Sequence, residues 1–257
     1  MVIDRNNYTW SWERYTSSWF QIENDKVYLN PKGNTLIKKN DQLIGLSKDN
    51  STFILDNPNP KSINKKNFSK SKNILPTSEY FLFLGFNDYT DNVLALLGKY
   101  TTPKSKCDII IEGNKKNKTK KYNNLSVNYI YTSNINRLYL NKINFNQYNF
   151  VVVQSFYDTK IKYDMNVVDN KSLSLIINLR DLKNINNYSF KIISELFDSN
   201  NHDLIQNSQI DDFILSEKFI SSSIAQVTEN KKLSLIFREI FSPIGSEIYI
   251  RPAENYI

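Results

Sequence analysis

The 257 residues carry 33 lysines and arginines against 26 acids, giving a net charge of +7 and a pI near 9.2. Hydrophobic residues at 40% and aromatics at 13% exclude a largely disordered chain, and the length suffices for one large domain or a domain with an appendage. A single cysteine, Cys107, excludes an internal disulfide and a cysteine metal site, and no run approaches the ~20 apolar residues of a membrane helix. The chain reads as soluble on its own and suited to a reducing compartment. Its basic balance fits AT-rich coding DNA, since the lysines are scattered rather than gathered on one helix face. A functional basic surface is the competing reading.

Residues 1–20 concentrate Tyr8, Trp10, Trp12, Tyr15, Trp19 and Phe20. They read as a strand pair tucked on a small domain, with an aromatic partner surface as the alternative. Short strands at 27–29 and 43–46 make residues 1–55 a small β-rich subdomain. Residues 56–78 open with Asp-Asn-Pro-Asn-Pro and continue with Lys61, Lys65, Lys66, Lys70 and Lys72 among Ser and Asn, which reads as a linker.

Beyond the linker the pattern alternates. The continuous apolar run at 80–86 predicts a central parallel strand buried on both faces. A turn at 87–90 leads to a helix over 91–97, with Thr90 or Asp91 as its cap. Further strands are predicted at 107–111, 127–131, 149–153, 190–195 and 211–215. A basic solvated run at 115–121 and a short helix at 135–143 lie between them. An amphipathic helix at 171–182 follows a loop carrying Asp158, Asp164 and Asp169, and part of a short helix falls at 203–206. Strands alternating with helices predict an α/β fold, a Rossmann-like doubly wound parallel sheet over 79–216. From Glu217 the period becomes helical and runs on through Leu233 to Ile240, until Pro243 and Gly245 stop it before a strand at 247–250. Residues 217–257 are thus a long helix leaving the sheet and a C-terminal strand.

The first strand-to-helix turn is where a dinucleotide would sit. That site needs three glycines spaced G-x-G-x-x-G so that pyrophosphate can approach the helix N-terminus. Here only Gly85 is present, and Asp88 and Asp91 would repel phosphate. Glu112 ends the second strand, where an acidic residue would hold ribose. Gly85, Asp88 and Glu112 are therefore the candidate residues of a degenerate nucleotide turn. No Ser-His-Asp ordering, paired histidines or nucleophile elbow appears, and the one histidine, His202, reads as a surface residue near a helix start. The chain is read as a non-enzyme. Asp158, Asp164, Asp169, Asp198, Asp211 and Asp212 fall at loop ends, where they could offer oxygen ligands to calcium or remain solvated carboxylates. The 115–121 run lacks the aromatic interleaving that nucleic-acid binding favours, and no nucleic-acid partner is expected.

Several stretches together resemble the Castor/Pollux ion-channel family. Residues 216–230 and the motif Gly245-Ser-Glu247-Ile248-Tyr-Ile250-Arg251 are similar to its C-terminal region. Leu82-Phe-Leu-Gly-Phe86 with Asp91 resembles its strand-then-helix opening, and 100–105 resembles its turn before the second strand. The helix ending in Arg180-Asp181, the strand Ile193-Ser-Glu-Leu-Phe-Asp198 and the 28–44 stretch have counterparts in the same order. The resemblance implies a regulatory domain of the RCK type, which controls conductance of potassium channels. Such modules assemble in tandem into a tetrameric ring beneath a cation pore, and binding of a ligand or calcium shifts that pore between states. It further implies self-association into dimers or a gating ring, a membrane pore subunit or missing N-terminal part as partner, and a peripheral position at a nuclear or plastid envelope. The chain departs from the family pattern in lacking a pore and a first Rossmann unit, and in a shortened helix between the second and third strands. The expected self-association surface is the apolar face of the crossover helix: Phe219, Ile220, Ile224, Val227, Leu235 and Phe237.

Overall fold

A computed structural model describes residues 20–23, 26–29, 42–44, 77–156, 165–197 and 212–244. Chain contacts divide it into two compact units, residues 75–226 and residues 1–74 together with 227–257.

The larger unit begins with β4 (Tyr80–Leu84), whose residues 81–84 are all buried. It pairs in parallel with β5 (Ser105–Glu112) on one side and β8 (Phe150–Val153) on the other. Strand β7 (Leu125–Thr132) continues the parallel sheet beyond β5; β9 (Lys191–Leu196) and β10 (Asp212–Leu215) continue it beyond β8. An antiparallel strand, β6 (Lys118–Tyr122), closes one end. The full order is β10-β9-β8-β4-β5-β7-β6. Among its parallel members this is the Rossmann-like α/β order, with the chain reversing direction across the sheet between β4 and β8.

The apolar run of β4 follows from burial on both faces. Phe81 and Phe83 join Cys107, Ile109, Val127 and Tyr129 under α1 (Thr90–Tyr100), which contributes Leu94. Leu82 and Leu84 join Val151, Val153 and Ile192 under α3 (Met165–Asn186). Helix α3 presents Leu175, Ile176, Leu179 and Leu182, each 6% exposed or less, at the three- and four-residue steps of a single helical face. Cys107 is fully buried, and that burial holds its thiol well above the usual range, so it behaves as a small core hydrophobe.

Several expectations are corrected. Four of the seven residues of the exposed 115–121 run form a strand rather than a loop, because β6 pairs with β7 across a two-residue turn in which Asn123 has φ 48°. This hairpin occupies the connection from β5 to β7, where a shortened helix was expected. The helix at 135–143 reduces to one turn, α2 (Arg137–Leu140), started by the Asn136 side chain accepting from the Tyr139 amide at 3.0 Å. Helix α3 starts six residues earlier than predicted, so Asp169 lies inside it. That side chain is fully buried and accepts from the Phe197 amide at 3.0 Å, which removes it from any set of solvated loop carboxylates. The long C-terminal helix is two helices, α4 (Ser216–Glu229) and α5 (Leu233–Ile240). Asn230 breaks them: its side chain accepts from the Lys232 amide and its carbonyl from the Leu233 amide.

In the smaller unit, β1 (Phe20–Glu23) pairs antiparallel with β2 (Lys26–Leu29) and β3 (Gln42–Ile44). Helix α5 lies against β2 and buries Ile236. The aromatic stretch before Phe20, the predicted helix at 203–206, the strand at 247–250, and Asp158, Asp164, Asp198 and Asp211 fall outside the described residues.

Candidate functional site: the strand-end crevice and the face beside α4

In a doubly wound sheet the binding crevice opens at the carboxyl ends of the strands flanking the reversal, here β4 and β8. Gly85 leaves β4 at φ 105° and donates its amide to the Ile110 carbonyl at 3.1 Å. A side chain there would be strained by its backbone and would overlap the Gln154 carbonyl, with the Phe156 ring 3.2 Å away. Glycine thus lets the exit of β8 close onto the exit of β4. In a dinucleotide fold the same closeness would serve pyrophosphate.

The turn after Gly85 is filled by the protein's own polar groups. Asn87, 1% exposed, accepts with its side-chain oxygen from the Thr90 hydroxyl at 3.0 Å and donates from its amide to the Thr90 oxygen at 2.8 Å. The Thr90 hydroxyl also lies 2.9 Å from the Gln154 side-chain oxygen, to which its single proton can alternatively go. Thr90 therefore opens α1 but does not cap it: Tyr89 precedes the helix and makes no side-chain cap. The Thr90 amide donates to the Asn87 carbonyl, and the Asn92 amide to that of Tyr89, so turn carbonyls take helix donors that would otherwise face an anion.

Glu195 joins this network from β9. One carboxylate oxygen accepts from the Ser155 amide at 3.3 Å and the Asn87 side-chain amide at 3.4 Å, and the other from the Ser216 hydroxyl at 3.1 Å. Burial pushes its carboxyl above the usual range in spite of these bonds. Asn87, Gln154 and Glu195 were not anticipated. Their one sequence signal is a polar residue where an apolar strand ends, as in Val-Val-Val-Gln154 and Ile-Ile-Ser-Glu195.

Of the three residues predicted for a nucleotide, Gly85 and Glu112 stand on the same rim, at the ends of neighbouring strands, and Asp88 is exposed on the turn. The Glu112 carboxylate is already engaged. One oxygen accepts from the Ile135 amide at 2.9 Å, and the other pairs at 2.5 Å with Lys171, whose ammonium sits 4.1 Å over the Phe156 ring. Lys171 thereby spans from α3 to the end of β5 above the crevice. A dinucleotide would need a phosphate cradle and a carboxylate available to ribose, and here side chains of the protein fill the one and hold the other. Among the described residues no group of three or more His, Cys, Asp or Glu could hold a metal ion.

The second feature is apolar. On the face that carries α1, a pocket of about 350 Å3 is lined by Phe83, Val93, Val152, Ile193 and Ile214 from the sheet and α1, and by Phe219 and Ile220 from α4. Phe219, Ile220 and Ile224 are 51%, 56% and 61% exposed and share one stripe of α4. Val227, Leu235 and Phe237, expected on the same surface, belong to the other compact unit and are half-buried there.

No family model matches the chain. Curated proteins do. The chain is 21% identical over 271 residues to the ion channel DMI1 of Medicago truncatula, covering 90% of this chain and 30% of that protein. It is 23% identical over 273 residues to the probable ion channel POLLUX of Arabidopsis thaliana, covering 90% and 32%, and 21% identical over 270 residues to the ion channel CASTOR of Lotus japonicus, covering 90% and 31%. The chain thus spans about three-tenths of the length of the curated relatives it matches. Through nearly the whole of its length, this Rossmann-like chain is similar to ion channels named DMI1, POLLUX and CASTOR.

Proposed function

We propose that this chain is a non-enzymatic regulatory and assembly domain of the RCK type, serving a Castor/Pollux-type cation channel. It associates with copies of itself, as dimers or within a tetrameric ring, and acts on a pore carried by a partner subunit or by a further part of the protein. The observation that carries this reading is the match over 90% of the chain to proteins named as ion channels. Among the described residues no helix is long and apolar enough to cross a membrane, which suits a domain at the soluble face of an organelle membrane.

The proposed self-association surface is the stripe of Phe219, Ile220 and Ile224. Each side chain keeps roughly half its surface in water, and its burial is worth about half of ~1.5–3 kcal/mol. Two copies meeting on this stripe bring six such side chains, about 5–9 kcal/mol, against an association cost of about 4–15 kcal/mol. The balance is close enough for one residue to decide it. Ile220→Asp places a charge in the stripe at a side chain that is 56% exposed. It is expected to leave the far-UV dichroism unchanged and to convert the oligomer to monomer by light scattering; an unchanged oligomer would count against the surface.

A further inference from the structure

At the end of the sheet opposite β10, the sequence and the pleat gather charge of one sign. Between residues 99 and 121 stand Lys99, Lys104, Lys106, Lys115, Lys116, Lys118, Lys120 and Lys121, every one exposed, against only Asp108 and Glu112. Both acids are engaged inside the protein. Asp108 accepts from the Asn128 side chain at 2.7 Å and the Tyr148 hydroxyl at 2.6 Å, and Glu112 pairs with Lys171. The lysines reach both faces of the edge. Lys118 and Lys120 lie on the α1 face, over the rings of Tyr129 and Tyr122. Lys106 and Lys121 both stand opposite Ser126, on the two strands flanking β7, and so share the other face about 10 Å apart.

From this arrangement we propose that the β6 edge, with the neighbouring ends of α1 and β5, docks on an anionic lipid bilayer. Protecting a sheet edge from another strand takes a lysine or two. Eight lysines spread over both faces and the adjoining turns make instead a broad positive field, which a charged bilayer matches and a single peptide does not. The charges are all lysine, point charges suited to a diffuse layer of headgroups rather than to the bidentate grip of arginine on one phosphate. Nucleic acid is disfavoured by the aromatic residues. Tyr129 is 2% exposed, lysine ammonium groups cover its ring and that of Tyr122, and both hydroxyls are held by Asp91, which leaves neither strand tyrosine an open face for a base. The exposed Tyr100 offers one ring rather than a row of stacking rings. Helix α1, packed against β6 where Gly98 meets the Tyr122 backbone, adds Leu96 and Tyr100, each 44% exposed and one turn apart beside Lys99. Leucine and tyrosine flanked by lysine settle at the water–lipid boundary.

The surface lies at the far end of the strand order from α4 and stands or falls separately from the self-association reading. The test is co-sedimentation of the full chain with vesicles of phosphatidylcholine alone and with phosphatidylserine added, at low and physiological salt. The expected result is binding to the serine-containing vesicles only, weakened by salt. It should weaken roughly hundredfold in a Lys115→Gln/Lys116→Gln/Lys121→Gln variant, at roughly fivefold per lysine. These three side chains are exposed and outside the Asp91 cluster, so the variant is expected to keep the parent dichroism. No binding, equal binding to both vesicle types, an unaffected variant, or displacement from the vesicles by single-stranded RNA would each overturn the proposal.

Discussion

Two carboxylates show how single residues set the acid behaviour of the fold. Asp91, in the first turn of α1, accepts from the Tyr122 hydroxyl at 2.5 Å and the Tyr129 hydroxyl at 2.7 Å. Burial raises its carboxyl, but the two hydroxyls, helped by the charges of Lys120 and Lys118, outweigh it and leave Asp91 below the usual range. Its stabilising contribution is therefore complete above the ordinary aspartate value of about 3.9 and is lost as pH falls through the lowered folded value. Glu195 has the opposite sign: burial raises it, so its ionisation weighs against the fold as pH climbs past the ordinary glutamate value. The two windows do not overlap, so Asp91→Asn isolates the lower one. Denaturant titrations from about pH 5 to pH 2 should show the parent losing stability more steeply than the variant; parallel curves would dissociate Asp91 from the acid response. None of this was legible in the sequence. A carboxylate in a first helical turn reads as a dipole partner, and the tyrosines that bind it come from strands about thirty residues or more away.

At the scale of elements, the β4–α1 turn has the position of a nucleotide site and the contents of a core. Gly85 stands out in the sequence as a lone glycine closing an apolar run, and its φ of 105° makes glycine there a backbone requirement. Thr90 reads from sequence only as a helix cap, and Asn87 and Gln154 not at all, because the bonds to Gln154 join segments that only the sheet brings together. Lys171 closing on Glu112 completes the seal. Saturating NAD or NADP is accordingly expected to leave the melting temperature unchanged, whereas a saturable rise would point instead to a Rossmann-fold nucleotide sensor or enzyme. The same contrast explains which elements were readable. Strands β4, β5, β7 and β8 carry apolar runs that only a covered sheet can use. Strand β6, Lys-Thr-Lys-Lys-Tyr, carries none, and it is a strand solely because the Asn123 turn folds it back on β7. Helices α4 and α5 share one apolar period, which hid the break that Asn230 makes with a side-chain hydrogen bond.

For the whole molecule, the strand order separates two kinds of surface. The β10 end carries α4 and its half-exposed apolar stripe, and the β6 end carries lysine. The resemblance to channels was legible because it rests on motif order along the chain, which survives at 21–23% identity. The replacement of a crossover helix by the β6–β7 hairpin has a consequence in time as well as in shape. Pairing Lys118 with Tyr129 closes a short loop, and a hairpin of this kind forms in about 1–10 μs; pairing Phe81 with Phe150 must first bring distant segments together. Strand β7 should therefore reach the growing sheet as half of a finished ribbon, its outer edge already satisfied before β5 arrives on its inner one. Pulse-labelled hydrogen exchange during refolding should find the paired amides of 118–129 protected ahead of those of 150–153, and simultaneous protection would mean that the ribbon waits for the sheet.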